Sequence, residues 1–208
     1  MAAGDVVTSG NFTFTQTSIE GLIVVDARTY GDARGYFMET YKRPDFVAGG
    51  ITCDFVQENQ SSSVRGVLRG LHFQIEHPQA KLVRVVRGAV FDVAVDLRRG
   101  SATYGKWEGV KLSAENRRQL FIPRGFAHGF LALTDVVEFS YRCDDVYHPN
   151  DEGGLAWDDP TLAIAWPPLR GDAAFDPAKL ILSEKDQHHP TLCELRERAS
   201  GVDSQVEW

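Results

Sequence analysis

The chain has 208 residues, 43% hydrophobic and 25% charged, with a formal net charge of -7 and a sequence pI of about 5.4. That is the size and balance of one ordinary globular domain, and its acidity argues against general nucleic-acid binding. Cys53, Cys143 and Cys193 stand far apart and form no CxxC pair, which argues against a zinc ribbon or disulfide scaffold and points to a reducing cytoplasm.

Read in chain order, residues 13–19 alternate apolar and polar side chains and predict a first strand. The N-terminus before them, MAAGDVVTSG, lacks a basic region followed by an apolar run, so no signal peptide is expected. Residues 21–30 and 35–41 are β-rich and flank a turn at 31–34. Residues 44–48 predict a short helix stopped by Gly49 and Gly50, and residues 55–63 a further strand. The stretch 82–97 reads as a hairpin. Val83 and Val85 precede a turn at Arg87 and Gly88, after which Ala89, Phe91, Val93 and Val95 share one face. Strands at 107–112, 119–122, 129–133 and 136–142 continue the series, and 191–199 predicts a short amphipathic helix. Many short strands with little helix predict a β-sandwich or jelly roll, as one domain. No apolar segment is long enough to span a bilayer, so no membrane partner is expected.

Several titratable residues fall on these strands beside apolar neighbours, where they are costly unless paired or used. His72 lies in LRGLHFQ, where period-two alternation places Gly70, His72 and Gln74 on one face. Alone it reads as a satisfied core histidine, Lys81 as a solvated edge lysine, His128 as structural and Tyr141 as packing with a hydroxyl handle. Their combination with Arg69, Gln57 and Asn59 makes those bland readings less attractive. A jelly-roll metal centre commonly uses two closely spaced histidines and a carboxylate. Here the residue two after His72 is Gln74, while Glu76 and His77 lie in a loop with Pro78. His188 and His189 are adjacent and point apart on an extended chain, so no metal is expected. No Walker or dinucleotide glycine motif occurs, and no cofactor is expected. Arg34, Arg69, Lys81, Arg124 and Lys185 are scattered cations near apolar strands, and Arg69 is placed for a bidentate phosphate contact.

Over residues 32–186 the segments DARGYFMETY, FVQENQS, RGLHFQ, QAKLVRVVRG, GFAHGF and SEKD are weak signals singly and specific together. The pattern resembles the dTDP-4-dehydrorhamnose 3,5-epimerases and the related dTDP-4-keto-6-deoxysugar 3-epimerases. The resemblance implies a mainly β, metal-free cupin jelly roll, or double-stranded β-helix, with a few short helices. It implies one domain over residues 1–208 with a helical tail at 187–208. It also implies an intimate homodimer that exchanges N-terminal strands. By motif position, His72 resembles the catalytic base, Asp186 the carboxylate that orients it, Tyr141 the acid and Lys81 the lysine near the substrate's C4 oxygen. Arg34, Phe37 and Glu39 resemble the nucleotide-contacting group, donated by the partner subunit. Gln57, Asn59, Arg69, His128, Tyr147, Glu152 and Lys185 resemble further substrate-binding positions. The chain departs from the pattern in a shorter stretch between His72 and Lys81, and in Val146 beside Tyr147, where the family commonly has two tyrosines.

The chemistry so implied is epimerisation of a dTDP-4-keto-6-deoxyhexose at C3 and C5, with C3-only inversion as the alternative. Both protons are α to the C4 carbonyl, and histidine is a base of suitable pKa. Asp186 would fix its tautomer, Lys81 would stabilise the enolate, and Tyr141, acidified by a nearby cation, would protonate the opposite face. A metal-dependent cupin and a non-catalytic nucleotide-sugar-binding cupin are the rival readings.

Overall fold

The alternation of apolar and polar residues produces a succession of short strands, described here in a computed structural model covering residues 2–201. They are β1 (Val6–Ser9), β2 (Phe12–Gln16), β3 (Ile23–Ala27), β4 (Thr29–Asp32), β5 (Gly35–Met38), β6 (Gln57–Val64) and β7 (Leu68–Gln74). Then come β8 (Lys81–Arg87), β9 (Ala89–Asp96), β10 (Trp107–Ser113), β11 (Gln119–Ile122), β12 (Phe126–Ala132), β13 (Val136–Cys143) and β14 (Glu152–Gly154). Among the described residues the α-helices are α1 (Arg43–Ala48), which ends before Gly49 and Gly50 as expected, and α2 (Leu192–Gly201). Of the expected tail, residues 202–208 lie outside the described residues. Among the described residues no helix is long and apolar enough to cross a membrane.

A 7-stranded sheet, β1-β2-β3-β11-β8-β13-β6, faces a 5-stranded sheet, β10-β9-β12-β7-β14. This is the two-sheet architecture expected from the strand pattern. Leu22, Val85, Val90, Leu112, Leu120, Phe130, Val137 and Phe139 join across the space between the sheets. Each sheet is also covered on part of its outer face. Phe46 of α1 packs on Phe12, Phe14, Ile23 and Val25 over the larger sheet. The segment with Trp166 and Leu192 covers Val93, Val95, Ala127 and Leu131 of the smaller. Burial on both faces explains why β12, FAHGFLA, is buried throughout.

The expected hairpin at 82–97 is corrected by this topology. β8 and β9 exist at nearly the expected bounds, but they do not pair with each other. β8 pairs with β11 and β13, whereas β9 pairs with β10 and β12. Gly88 is therefore a corner between sheets, at φ +79°, where an added Cβ would collide with the Val136 carbonyl. The alternation of Val93 and Val95 against Val90 and Ala94 is real, but it serves two different cores.

β1, β2 and β3 pair in sequence and close on β11 of the same chain. The β4–β5 ribbon stands apart as a 2-stranded sheet. It carries Tyr30, Tyr36 and Phe37, which are 45%, 57% and 66% exposed.

Candidate active site

A cleft of about 350 Å³ opens between the ends of the two sheets, lined by residues from both. His72, Phe73 and Gln74 of β7 and Glu152 of β14 come from the smaller sheet. Gln57 and Asn59 of β6, Lys81 of β8 and Tyr141 of β13 come from the larger, and Gln79 and Tyr147 complete the rim. Phe73, Gln74 and Gln79 carried no expected role. Gln74 fixes the rim through its amide, which donates to the His77 carbonyl at 2.7 Å and accepts from the His148 N–H at 2.8 Å.

β7 does not keep strict alternation. His72 stands opposite His128, and Arg69 opposite Phe130, with a register shift between the pairs. Arg69 and His72 thus face alike, correcting the expectation that period-two spacing runs from Gly70 through His72. The Arg69 guanidinium donates to Ser63 Oγ at 3.0 Å and the Ser62 carbonyl at 3.2 Å.

His72 meets Asp186 across a long sequence separation, with Nε2 2.6 Å from Oδ1. The other carboxylate oxygen of Asp186 accepts from Ser183 Oγ at 2.8 Å. Burial pushes the Asp186 pKa up, but the bonds and charges of His72 and Ser183 outweigh it, and the net shift is downward. An ionised Asp186 accepts only, so His72 Nε2 carries the proton and Nδ1 keeps the lone pair. His189, expected to have no part here, also points inward. Its Nε2 is 3.4 Å from Asp186 Oδ1, and its ring packs over Gly154, where a Cβ would collide with it.

Tyr141 pairs in register with Asn59 and Val83. The expected acidification of its phenol is not found. Burial, then Cys143, raises its pKa, and the neighbouring Asn59 and the Arg69 charge offset this only in part. Lys81 is not an edge residue: it sits between Ile122 and Cys143 on an interior strand. Burial lowers its pKa, against the pull of Cys143, Asp92 and Glu152. Cys143 itself is buried, and its thiol is pushed up to about 11.

At the rim, Glu152 accepts from Tyr147 OH at 2.8 Å and from Lys185 Nζ. Gln57 links the rim to β6, donating to Asn59 Oδ1 at 3.1 Å and accepting from the Tyr147 N–H at 2.9 Å. His128 is not among the cleft-lining residues. It is buried, and its Nε2 is 3.0 Å from both carboxylate oxygens of Asp92, which is wholly buried. Asp92 went unremarked in the sequence, although an acid inside AVFDVAVD is a visible signal. Arg124 pairs with Asp144 at 2.7 Å. The structure does not bring Arg34, Phe37 or Glu39 to this cleft. Arg34 and Phe37 lie on the β4–β5 ribbon, Arg34 paired with Asp32 at 2.6 Å, and Glu39 accepts from Asn11 at 2.6 Å.

Known proteins share both the sequence and this fold. The family profile described as dTDP-4-dehydrorhamnose 3,5-epimerase matches residues 16–194. The dTDP-4-dehydrorhamnose 3,5-epimerase of Methanothermobacter thermautotrophicus is 55% identical over 183 residues, covering 88% of this chain and 96% of that one. A crystal structure of the Elizabethkingia anophelis enzyme of that name superposes with a TM-score of 0.82 at 43% identity, over 89% of this chain and 98% of that one. The dTDP-6-deoxy-D-glucose-3,5-epimerase of Legionella pneumophila, solved with dTDP-4-keto-L-rhamnose, gives 0.77 at 47% identity, over 84% and 89%. With the cupin-type β fold and the sequence match agreeing over nearly the whole length, the chain belongs to the dTDP-4-dehydrorhamnose 3,5-epimerase family.

Proposed function

We propose that the chain epimerises a dTDP-4-keto-6-deoxyhexose at C3 and C5, as an isomerase of the cytoplasm. The observation that carries this is the placement of His72 and Tyr141 on opposite sheets across one cleft, with Lys81 lining it. His72 Nδ1 takes the proton α to the C4 carbonyl, and Asp186 stabilises the imidazolium that forms. The charge moves to the C4 oxygen, where the Lys81 ammonium stabilises it. Tyr141 then protonates the carbon from the other face, and its raised pKa keeps it in the protonated form an acid needs. Water restores both groups, so solvent hydrogen enters each inverted carbon. Gln57, Asn59, Arg69, His128, Tyr147, Glu152 and Lys185 are proposed to hold the substrate or to fix the groups that do.

The test is incubation with dTDP-4-keto-6-deoxyglucose in D2O, read by proton NMR. Loss of both the H3 and H5 signals, with formation of the rhamno product, is expected. An H5 signal that persists after H3 has exchanged and inverted would instead assign inversion of C3 alone.

The chain is further proposed to work as a homodimer in which the β4–β5 ribbon completes the neighbour's nucleotide site. The ribbon's exposed aromatic residues and the absence of Arg34 from the lining of its own cleft support this. Mixing Arg34→Ala and His72→Asn subunits is expected to restore part of the activity that each lacks alone, because one site of the mixed dimer regains both groups. Exchanged heterodimers as inactive as their parents would rule out the shared site.

A further inference from the structure

The proposed chemistry leaves His189 without a task. Its side chain is only 8% exposed, and its buried Nε2 has the Asp186 carboxylate 3.4 Å away but makes no well-formed hydrogen bond. Such a group is costly unless something satisfies it. The His72 and His189 rings stand 5.5 Å apart at 83°. One donor atom each from His72, Asp186 and His189 lies within 4.8 Å of the others. Tetrahedral zinc, with ligands at about 2.0–2.1 Å, spaces its donors about 3.3 Å apart. His189 Nε2 and Asp186 Oδ1 already stand 3.4 Å apart. The His72–Asp186 contact of 2.6 Å must open to match, which follows once a cation replaces the proton between them. Two imidazoles and a carboxylate suit zinc, nickel and cobalt rather than magnesium or calcium.

We propose that His72, Asp186 and His189 form an inhibitory site for a divalent transition metal, zinc above all. The ion would bond to His72 Nε2, Asp186 Oδ1 and His189 Nε2. His72 is 36% exposed and the other two are nearly closed off, so entry and the open fourth position are on the His72 side. Metal at Nε2 shifts the single ring proton of His72 to Nδ1. The nitrogen that must take the substrate's proton then has no free lone pair. This inhibitory consequence rests on the proposed epimerase mechanism, whereas metal binding does not.

Cobalt chloride is titrated into the metal-free full chain and followed by visible absorption, and zinc chloride inhibition of turnover is measured in parallel. One cobalt per chain with a visible d–d band, displaced by zinc, is expected. Zinc inhibition should be reversed by EDTA, and magnesium should have no effect. His189→Ala should lose the band and, measured against its own metal-free rate, raise the half-inhibitory zinc concentration by at least about tenfold. His189→Gln should do the same, and it serves if the alanine variant fails to fold. His77→Ala, which removes one ring of the pair stacked at 4.0 Å with His148, should change neither readout. Cobalt spectra or zinc inhibition unaltered by both His189 substitutions, or lost in His77→Ala, would overturn the site. Cobalt bound through His189 in a chain without epimerase activity would keep the site and refute the function. Activity without any cobalt band would do the reverse.

Discussion

His72→Asn is expected to abolish both deuterium exchange and epimerisation. Asparagine can still reach toward Asp186 but offers no nitrogen that takes a proton near neutrality. Among the cleft-lining residues, Lys81 is assigned to the C4 oxygen and Glu152 is held by Tyr147 and Lys185, so neither replaces the base. Loss of a positioned base costs on the order of 10²–10⁴ in rate, equivalent to about 3–5 kcal/mol. Because His72 is about one-third exposed, the fold should survive, and circular dichroism with a melting curve checks that. Asp186→Asn should be milder: an amide oxygen can still accept from Ser183, but the charge that stabilises the imidazolium is gone. A folded His72→Asn protein that exchanges H3 at the wild-type rate would remove His72 from the mechanism.

Local pattern and long-range placement were legible in the sequence to different degrees. The strand expected at 119–122 is β11 to the residue, and the glycine pair stopped α1 where expected. Pairing was not legible. A valine-rich run, a glycine and a second valine-rich run look alike whether the chain folds back in one sheet or turns the corner into another. What distinguishes them is pairing with strands distant in sequence, β8 with β11 and β13 and β9 with β12. β14, at 3 residues, is too short for a period to emerge. Within the site, the strand residues His72, Lys81 and Tyr141 were found because polar groups among apolar neighbours stand out. The meeting of His72 with Asp186, 114 residues apart, was available only through the family resemblance. His189 was dismissed by a sound local rule. Adjacent side chains do point apart, and so His188 bonds the Glu184 carbonyl while His189 turns inward to Asp186. The Tyr141 phenol was misjudged because a nearby cation is easy to infer from sequence, whereas the larger effect of burial is not.

Tyr141→Phe should separate exchange from inversion. The substitution removes one hydroxyl from a ring packed near Phe139, at 6.1 Å between centroids, and leaves the apolar contacts of β13 intact. Folding should therefore persist. His72 stays on the opposite sheet with Asp186 in place, so the first proton transfer and the Lys81-stabilised enolate remain accessible. The imidazolium can exchange with D2O and return a deuteron to the face it was taken from. Deuterium wash-in at C3 should thus continue, while inverted product falls by on the order of a hundredfold or more. A base that did both jobs would show the two rates falling together. Unchanged inversion in the folded variant would mean that water or another side chain is the acid, and the division of labour between the two sheets would then be wrong.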